Sequence, residues 1–160
     1  MNKLTLENVS YAYKGAERKA LNDISAEFQG GKVYAVIGSS GSGKTTLLSI
    51  LAGLDIPTEG EVFINNTKLS TLDLDQYRRE QVSMIFQAFH LFPMLNVVEN
   101  VSFPMELNGV ERAEASTRAK VFLNSVGITD EKHRRFPSNL SGGEQQRVAI
   151  ARTMASGARV

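Results

Sequence analysis

Residues 33–46 read VYAVIGSSGSGKTT, and this stretch decides the fold. Residues 33–37 are a short unbroken apolar run, the pattern of a strand covered on both faces. Residues 38–45, GSSGSGKT, fit G-x-x-x-x-G-K-[ST], a phosphate loop when it stands between a strand and a helix. Leu47, Ile50, Leu51 and Leu54 follow at i, i+3, i+4 and i+7, one face of a helix that Gly53 and Pro57 help to end. Glycine lets the backbone turn successive N–H groups toward an anion, and a helix starting near Gly43 brings its positive end to the same point. Gly38, Ser39, Ser40, Gly41, Ser42 and Gly43 form the cradle. Lys44 reaches the outer phosphates as a point charge, the Thr45 hydroxyl can hold Mg2+, and Thr46 can add a phosphate contact. A plain glycine-serine loop with an exposed lysine is the rival reading, and the flanking strand and helix argue against it.

Outward from the loop, Leu4 and Leu6 alternate with Thr5 and Glu7, and Ile24, Ala26 and Phe28 with Ser25, Glu27 and Gln29. Both runs read as half-buried strands. Residues 61–65 and 82–86 read as further strands, and 73–80 as a short helix. Beyond about residue 95 the pattern turns helical. Ala115, Ala119, Phe122, Leu123 and Val126 make one stripe, with Gly127 as a cap beyond its end. The expected architecture is α/β, with antiparallel strands first, a phosphate-loop core within residues 1–94, and a helical part over 95–156.

The 160 residues suffice for one sizeable core. A net charge of +1 gives no cause to expect a nucleic-acid partner, and the basic cluster Lys132–Arg135 reads as a solvated loop. The chain has no cysteine, so no disulfide framework exists. No apolar run reaches membrane-spanning length, and residues 1–10 lack a signal-peptide core. A cytoplasmic location is expected, with any membrane association made through a partner.

Residues 140–147 read LSGGEQQR. Ser141 and Glu144 stand as S-x-x-E, a capping box that starts a helix. Gly142 and Gly143 leave the backbone of its first turn bare, so a phosphate can approach. On capping alone, a well-capped helix start is the simpler reading. The octapeptide downstream of a phosphate loop reverses that preference.

With these motifs the chain resembles the nucleotide-binding subunit of an ATP-binding cassette (ABC) transporter. GSSGSGKTT resembles the family's Walker A loop, LSGGEQQR its signature motif, and MIFQAFHLFPMLNVVENV the segment with its Q-loop, where Gln87 is the glutamine. VSYAY resembles the strand leading to the adenine-stacking aromatic; Tyr13 fits best, and Tyr11 is the fallback. The resemblance implies ATP and Mg2+ as cofactors. It places Lys44 and Gln87 in catalysis, and Thr45 and Gln87 near the metal. Ser141, Gly142, Gly143 and Glu144 would serve the nucleotide of a second subunit in a head-to-tail homodimer. An integral membrane permease would dock near Phe86–Met94, holding the protein on the inner face of the cell membrane. The apolar cluster Phe89, Leu91, Phe92, Met94 and Leu95 fits that contact and ordinary packing equally. LAGLDIPTEGEVF and FHLFPMLNVVENVSFPMEL most resemble lipoprotein-releasing, macrolide and antimicrobial-peptide exporters.

In the family, hydrolysis also uses a Walker B carboxylate, a neighbouring glutamate and a switch histidine, beyond the signature helix. After Arg135 the only carboxylate here is Glu144, and His90 and His133 both precede the signature. Ala158–Val160 reads as the approach to the Walker B strand, so the C-terminal core strands are expected to be missing. The 160 residues alone are expected to bind nucleotide weakly, to hydrolyse it negligibly, and either to be poorly stable as a monomer or to complete the sheet by exchange or a non-native arrangement. The rival functions are a soluble ABC-class ATPase, a non-catalytic nucleotide-binding fragment, and a phosphate-loop kinase, which would not need LSGGEQQR.

Overall fold

Alternation fixes the first strands, and one irregularity re-aims them. β1 (Lys3–Tyr11) buries Leu4 and Leu6, then switches phase and buries Val9 and Ser10. The switch is a bulge at Asn8, whose φ is 49°, and the β1–β2 register shifts between Leu6 and Val9. A bulge adds a residue to one strand and turns it. Gly60 lies opposite: a Cβ there would stand 2.3 Å from the Asn8 carbonyl oxygen. β2 (Leu21–Gln29) and β3 (Glu59–Ile64) pair antiparallel with β1, and β4 (Thr67–Lys68) closes the order β2-β1-β3-β4.

This computed structural model describes residues 3–158. They divide into two compact units, one reaching to Arg78 and the other spanning Arg79–Ala158. In the first, α1 (Lys44–Leu51) buries Thr46, Ile50 and Leu51. Its C-terminus is held by α2 (Leu74–Glu80), where Tyr77 is 1% exposed and donates its hydroxyl proton to the Leu51 carbonyl at 2.8 Å. Burial pushes the Tyr77 phenol up to about 12.

Two expected strands are absent. Residues 33–37 form no strand, and Val33 and Ile37 are 101% and 91% exposed. Residues 82–86 form none either. A strand covered on both faces exists only with neighbours to pair with, and no described strand pairs with either run. The described sheet is therefore the antiparallel one alone.

The second unit is three helices around one core. α3 (Val97–Leu107) begins at a capping box of Asn96 and Glu99. α4 (Arg112–Ser125) is capped by the Glu111 side chain, which accepts from the Ala113 and Glu114 N–H groups. α5 (Gly142–Ser156) begins at Ser141. Val97, Val101, Met105, Ala115, Ala119, Leu123, Ile128 and Val148 pack between them. Truncating the fully buried Leu123 to alanine would cost roughly 2–5 kcal/mol. Residues 79–94, grouped in the sequence reading with the phosphate-loop core, belong with these helices. The side chain of Asn100, fully buried, binds the Phe92 N–H and the Phe92 and Leu95 carbonyls, tying this segment to α3.

Candidate functional site

Glycine shapes the phosphate loop, most strictly at Gly43. Gly43, the N-cap of α1, has φ 91°, and a Cβ on it would stand 2.4 Å from the Ala20 carbonyl oxygen. The start of α1 therefore seats directly against the entry to β2. At Gly38 a Cβ would stand 2.6 Å from the Ser42 hydroxyl, and Gly41 has φ 76°. No side chain caps α1 and no acidic residue occupies its first turn, so its N-terminal N–H groups and dipole are left for an anion.

Lys44 lies across this loop. Its ammonium donates to the Gly38 carbonyl at 2.9 Å, the Ser39 carbonyl at 2.7 Å and, more weakly, the Ser42 hydroxyl at 3.5 Å. These carbonyls are neutral acceptors that a phosphate oxygen, with its charge, would outcompete. The Thr45 hydroxyl is exposed, with no hydrogen-bond partner among the described residues. It is a hard oxygen donor of the type Mg2+ takes alongside phosphate oxygens and water. Thr46 is buried, and its hydroxyl pairs with the Tyr13 hydroxyl at 2.9 Å; where Tyr13 donates, the Thr46 proton is left for another acceptor.

Tyr11 and Tyr13 divide their roles. Tyr11 donates to Asp55 at 3.2 Å, and that carboxylate, together with burial as the larger cause, raises the Tyr11 pKa. Tyr13 packs edge to face on Tyr11, with centroids 5.0 Å apart, and stays 51% exposed beside α1. Tyr13 is therefore the ring with a face to offer a planar base.

In the helical unit the signature turn forms the expected capping box. The Ser141 hydroxyl accepts from the Glu144 N–H at 3.4 Å, and a Glu144 carboxylate oxygen accepts from the Ser141 N–H at 2.8 Å. The other Glu144 oxygen meets the Lys132 ammonium at 2.8 Å. Lys132 first, and the Ser141 N–H next, hold the Glu144 carboxyl down to about 2. Glu144 thus builds the turn, with both oxygens engaged. The Gln145 amide donates to the Pro137 and Leu140 carbonyls and braces the turn from behind.

The cap takes the Glu144 N–H and leaves those of Gly142 and Gly143. A Cβ at Gly142 would meet nothing within 4 Å, and one at Gly143 only the tip of Arg147, at 3.8 Å. Neither glycine has a left-handed φ. Alanine would suit both positions and favour the helix by about 1 kcal/mol at each. The chain's own packing therefore gives no reason for glycine at either position.

Gln87 is exposed and makes no hydrogen bond among the described residues. The apolar cluster near it divides. Phe89, Leu91 and Leu95 are half-buried, Phe92 is partly covered by Phe103 and Arg152, and Met94 is 85% exposed. Lys132–Arg135 is only partly a solvated loop. His133 is 4% exposed, with Nε2 3.1 Å from the Ile128 carbonyl, and the His133 and Arg135 carbonyls accept from the first N–H groups of α3. Sequence reasoning missed Lys132 as the partner of Glu144; its place in a basic run hid it. It also missed Arg152, whose contacts lie 62 and 63 residues away in sequence. Arg159 and Val160, read as the approach to a further strand, lie outside the described residues.

The ABC transporter family model matches residues 21–160. An uncharacterized ABC transporter ATP-binding protein of Mycobacterium tuberculosis is 43% identical over 155 residues, covering 94% of this chain and 62% of that protein. The methionine import ATP-binding protein of Escherichia coli K12 is 41% identical over 161 residues, covering 98% of this chain and 47% of that protein. This chain thus spans roughly half to two thirds of the length of these relatives. Among solved structures, the dimeric bacterial ABC transporter cassette MJ0796 superposes with a TM-score of 0.89 at 38% identity, over 97% of this chain and 70% of that one. The same cassette in a post-hydrolysis state bound to ADP and Pi gives a TM-score of 0.90. No helix among the described residues is long and apolar enough to cross a membrane.

Proposed function

Because this chain belongs to the ABC transporter family, we propose that it is the ATP-binding part of an energy-coupling subunit that works as a head-to-tail homodimer on a membrane permease. The observation that carries this reading is the bare Gly142–Gly143 face on a preformed, capped helix start. A phosphate held in the cradle of one copy would meet the signature turn of the other. Lys44 and the N–H groups of residues 38–43 bind the phosphates, Thr45 holds Mg2+ beside them, and Tyr13 stacks on adenine. Thr46 sets the Tyr13 ring through their shared hydrogen bond. By the family resemblance, Gln87 would serve the metal or the attacking water. The metal, when bound, would neutralise charge developing on the transferred phosphoryl group. Glu144, the one carboxylate after Arg135 in these 160 residues, caps the signature helix and pairs with Lys132.

The exposed Met94 and the neighbouring Phe92 suit an apolar contact with a permease on the cytoplasmic face of the membrane. For direction we favour export, on the resemblance of residues 51–63 and 89–107 to exporter subunits. The similarity to the methionine import protein supports import as the second reading, with the permease choosing the substrate. ATP titration of the natural full-length protein tests the core of this proposal. ATP binding that weakens roughly 10–100-fold in Lys44→Ala is expected; equal affinity in both proteins would reject the assignment.

A further inference from the structure

α5 carries, on its later turns, a contact to the backbone that follows Gln87. Arg152 Nη1 donates to the His90 carbonyl at 2.7 Å, and Nη2 donates to the Phe89 carbonyl at 2.7 Å. The guanidinium also lies over the Phe92 ring, 5.7 Å from its centroid. Burial lowers the Arg152 pKa, yet a guanidinium keeps its charge. The turn it grips is one the chain resists. Phe89 and His90 have φ 60° and 46°, a left-handed pair with no glycine in it. Locally the turn has only two backbone bonds, Phe89 N–H to the Phe86 carbonyl and His90 N–H to the Ala88 carbonyl, and a His90–Phe86 ring stack at 4.7 Å. Its two outward carbonyls are both taken by one planar fork.

We infer that Arg152 is a positioning residue, whose fork holds the Phe89–His90 turn left-handed and thereby sets where Gln87 stands. Arg152 and Gly143 belong to one helix, nine residues and about 14 Å apart. A phosphate arriving at the signature turn and the placement of Gln87 are therefore linked through one rigid element. The importance of Gln87 rests on the function proposed above; the clamp itself does not. A fork is needed because the two carbonyls belong to successive residues. Lysine offers one charged point, and glutamine offers a neutral amide.

The test uses the natural full-length protein with Arg152→Gln and Arg152→Lys. Hydrogen exchange at the Phe89 and His90 amides should quicken at least about tenfold in Arg152→Gln and less in Arg152→Lys, with Val148 and Ala149 as protected as before. ATP turnover should fall about tenfold in kcat, with KM changed less than about twofold. Adding His90→Gly, which makes the left-handed conformation easy, should restore part of kcat to Arg152→Gln. Unchanged exchange at residues 89–90, or equal loss of protection throughout α5, would overturn the clamp. A loosened turn with kcat intact would overturn its link to Gln87. If the unaltered protein binds no ATP, the proposed function fails, and the exchange comparison still decides the clamp.

Discussion

A Cβ at Gly43 would stand 2.4 Å from a backbone oxygen; a Cβ at Gly142 would meet nothing within 4 Å. Both glycines sit at the start of a helix in a motif assigned to phosphate. In the first unit, glycine is imposed from inside: φ is positive at Gly41 and Gly43, and the chain passes too close for a side chain. The lysine folds back onto its own loop carbonyls. In the second unit the turn is fully capped and braced, and its glycines serve nothing internal. One region is a cradle whose shape depends on its glycines. The other is a capped turn whose glycines leave a surface bare. A glycine-rich motif by itself does not separate these cases; the surroundings of each missing Cβ do.

Substitution should expose this difference, most strongly in the cradle. Gly43→Ala should destabilise the first unit by more than about 3 kcal/mol, because left-handed strain and a backbone clash act together. Denaturant unfolding measures it, and a near-neutral result would erase the contrast. Lys44→Ala should weaken ATP binding by roughly 10–100-fold, the worth of charge-assisted hydrogen bonds, with little change in unfolding. Calorimetric titration beside a melting curve separates the two effects. Ser141→Ala should cost the second unit about 1 kcal/mol, the usual loss for a cap.

Titration divides the units as well. The Glu144 carboxyl is held down to about 2 in the fold against an ordinary value of 4.5. Its stabilising contribution is complete above about pH 4.5 and is lost as pH falls toward 2. Tyr77 in the first unit is pushed the other way, up to about 12 from 10. Its contribution is complete below pH 10 and is lost as pH rises through 12. Amide exchange across α5 and across α1, followed from pH 6 down to 2 and from pH 9 up to 12, should show acid loosening α5 and alkali loosening α1.

Much of this was legible in the sequence, for a physical reason in each case. β1, β2 and β3 show in the alternation of Leu4, Leu6, Ala26 and Val62, because the sheet buries one face. The start of α5 shows in Ser141 and Glu144, because a capping box is wholly local. The Asn96–Glu99 box has the same spacing and was equally available. What failed was residues 33–37 and 82–86. An apolar run records a need for burial and cannot record whether a neighbour satisfies it. The bulge at Asn8 was invisible because it depends on Gly60, which lies more than fifty residues away. Gln87 could be named from its motif, but the grip of Arg152 on the turn beyond it has no local signal.

The central claim is that the Gly142–Gly143 face is kept clear for a phosphate carried by a second copy. Sedimentation of the natural full-length protein with a non-hydrolysable ATP analogue, comparing the unaltered chain with Gly142→Ala, tests it most directly. A nucleotide-dependent dimer that Gly142→Ala abolishes is expected, although that variant melts as well as or slightly better than the original, by up to about 1 kcal/mol. A Gly142→Ala protein that dimerises with nucleotide as readily as the unaltered chain would contradict it.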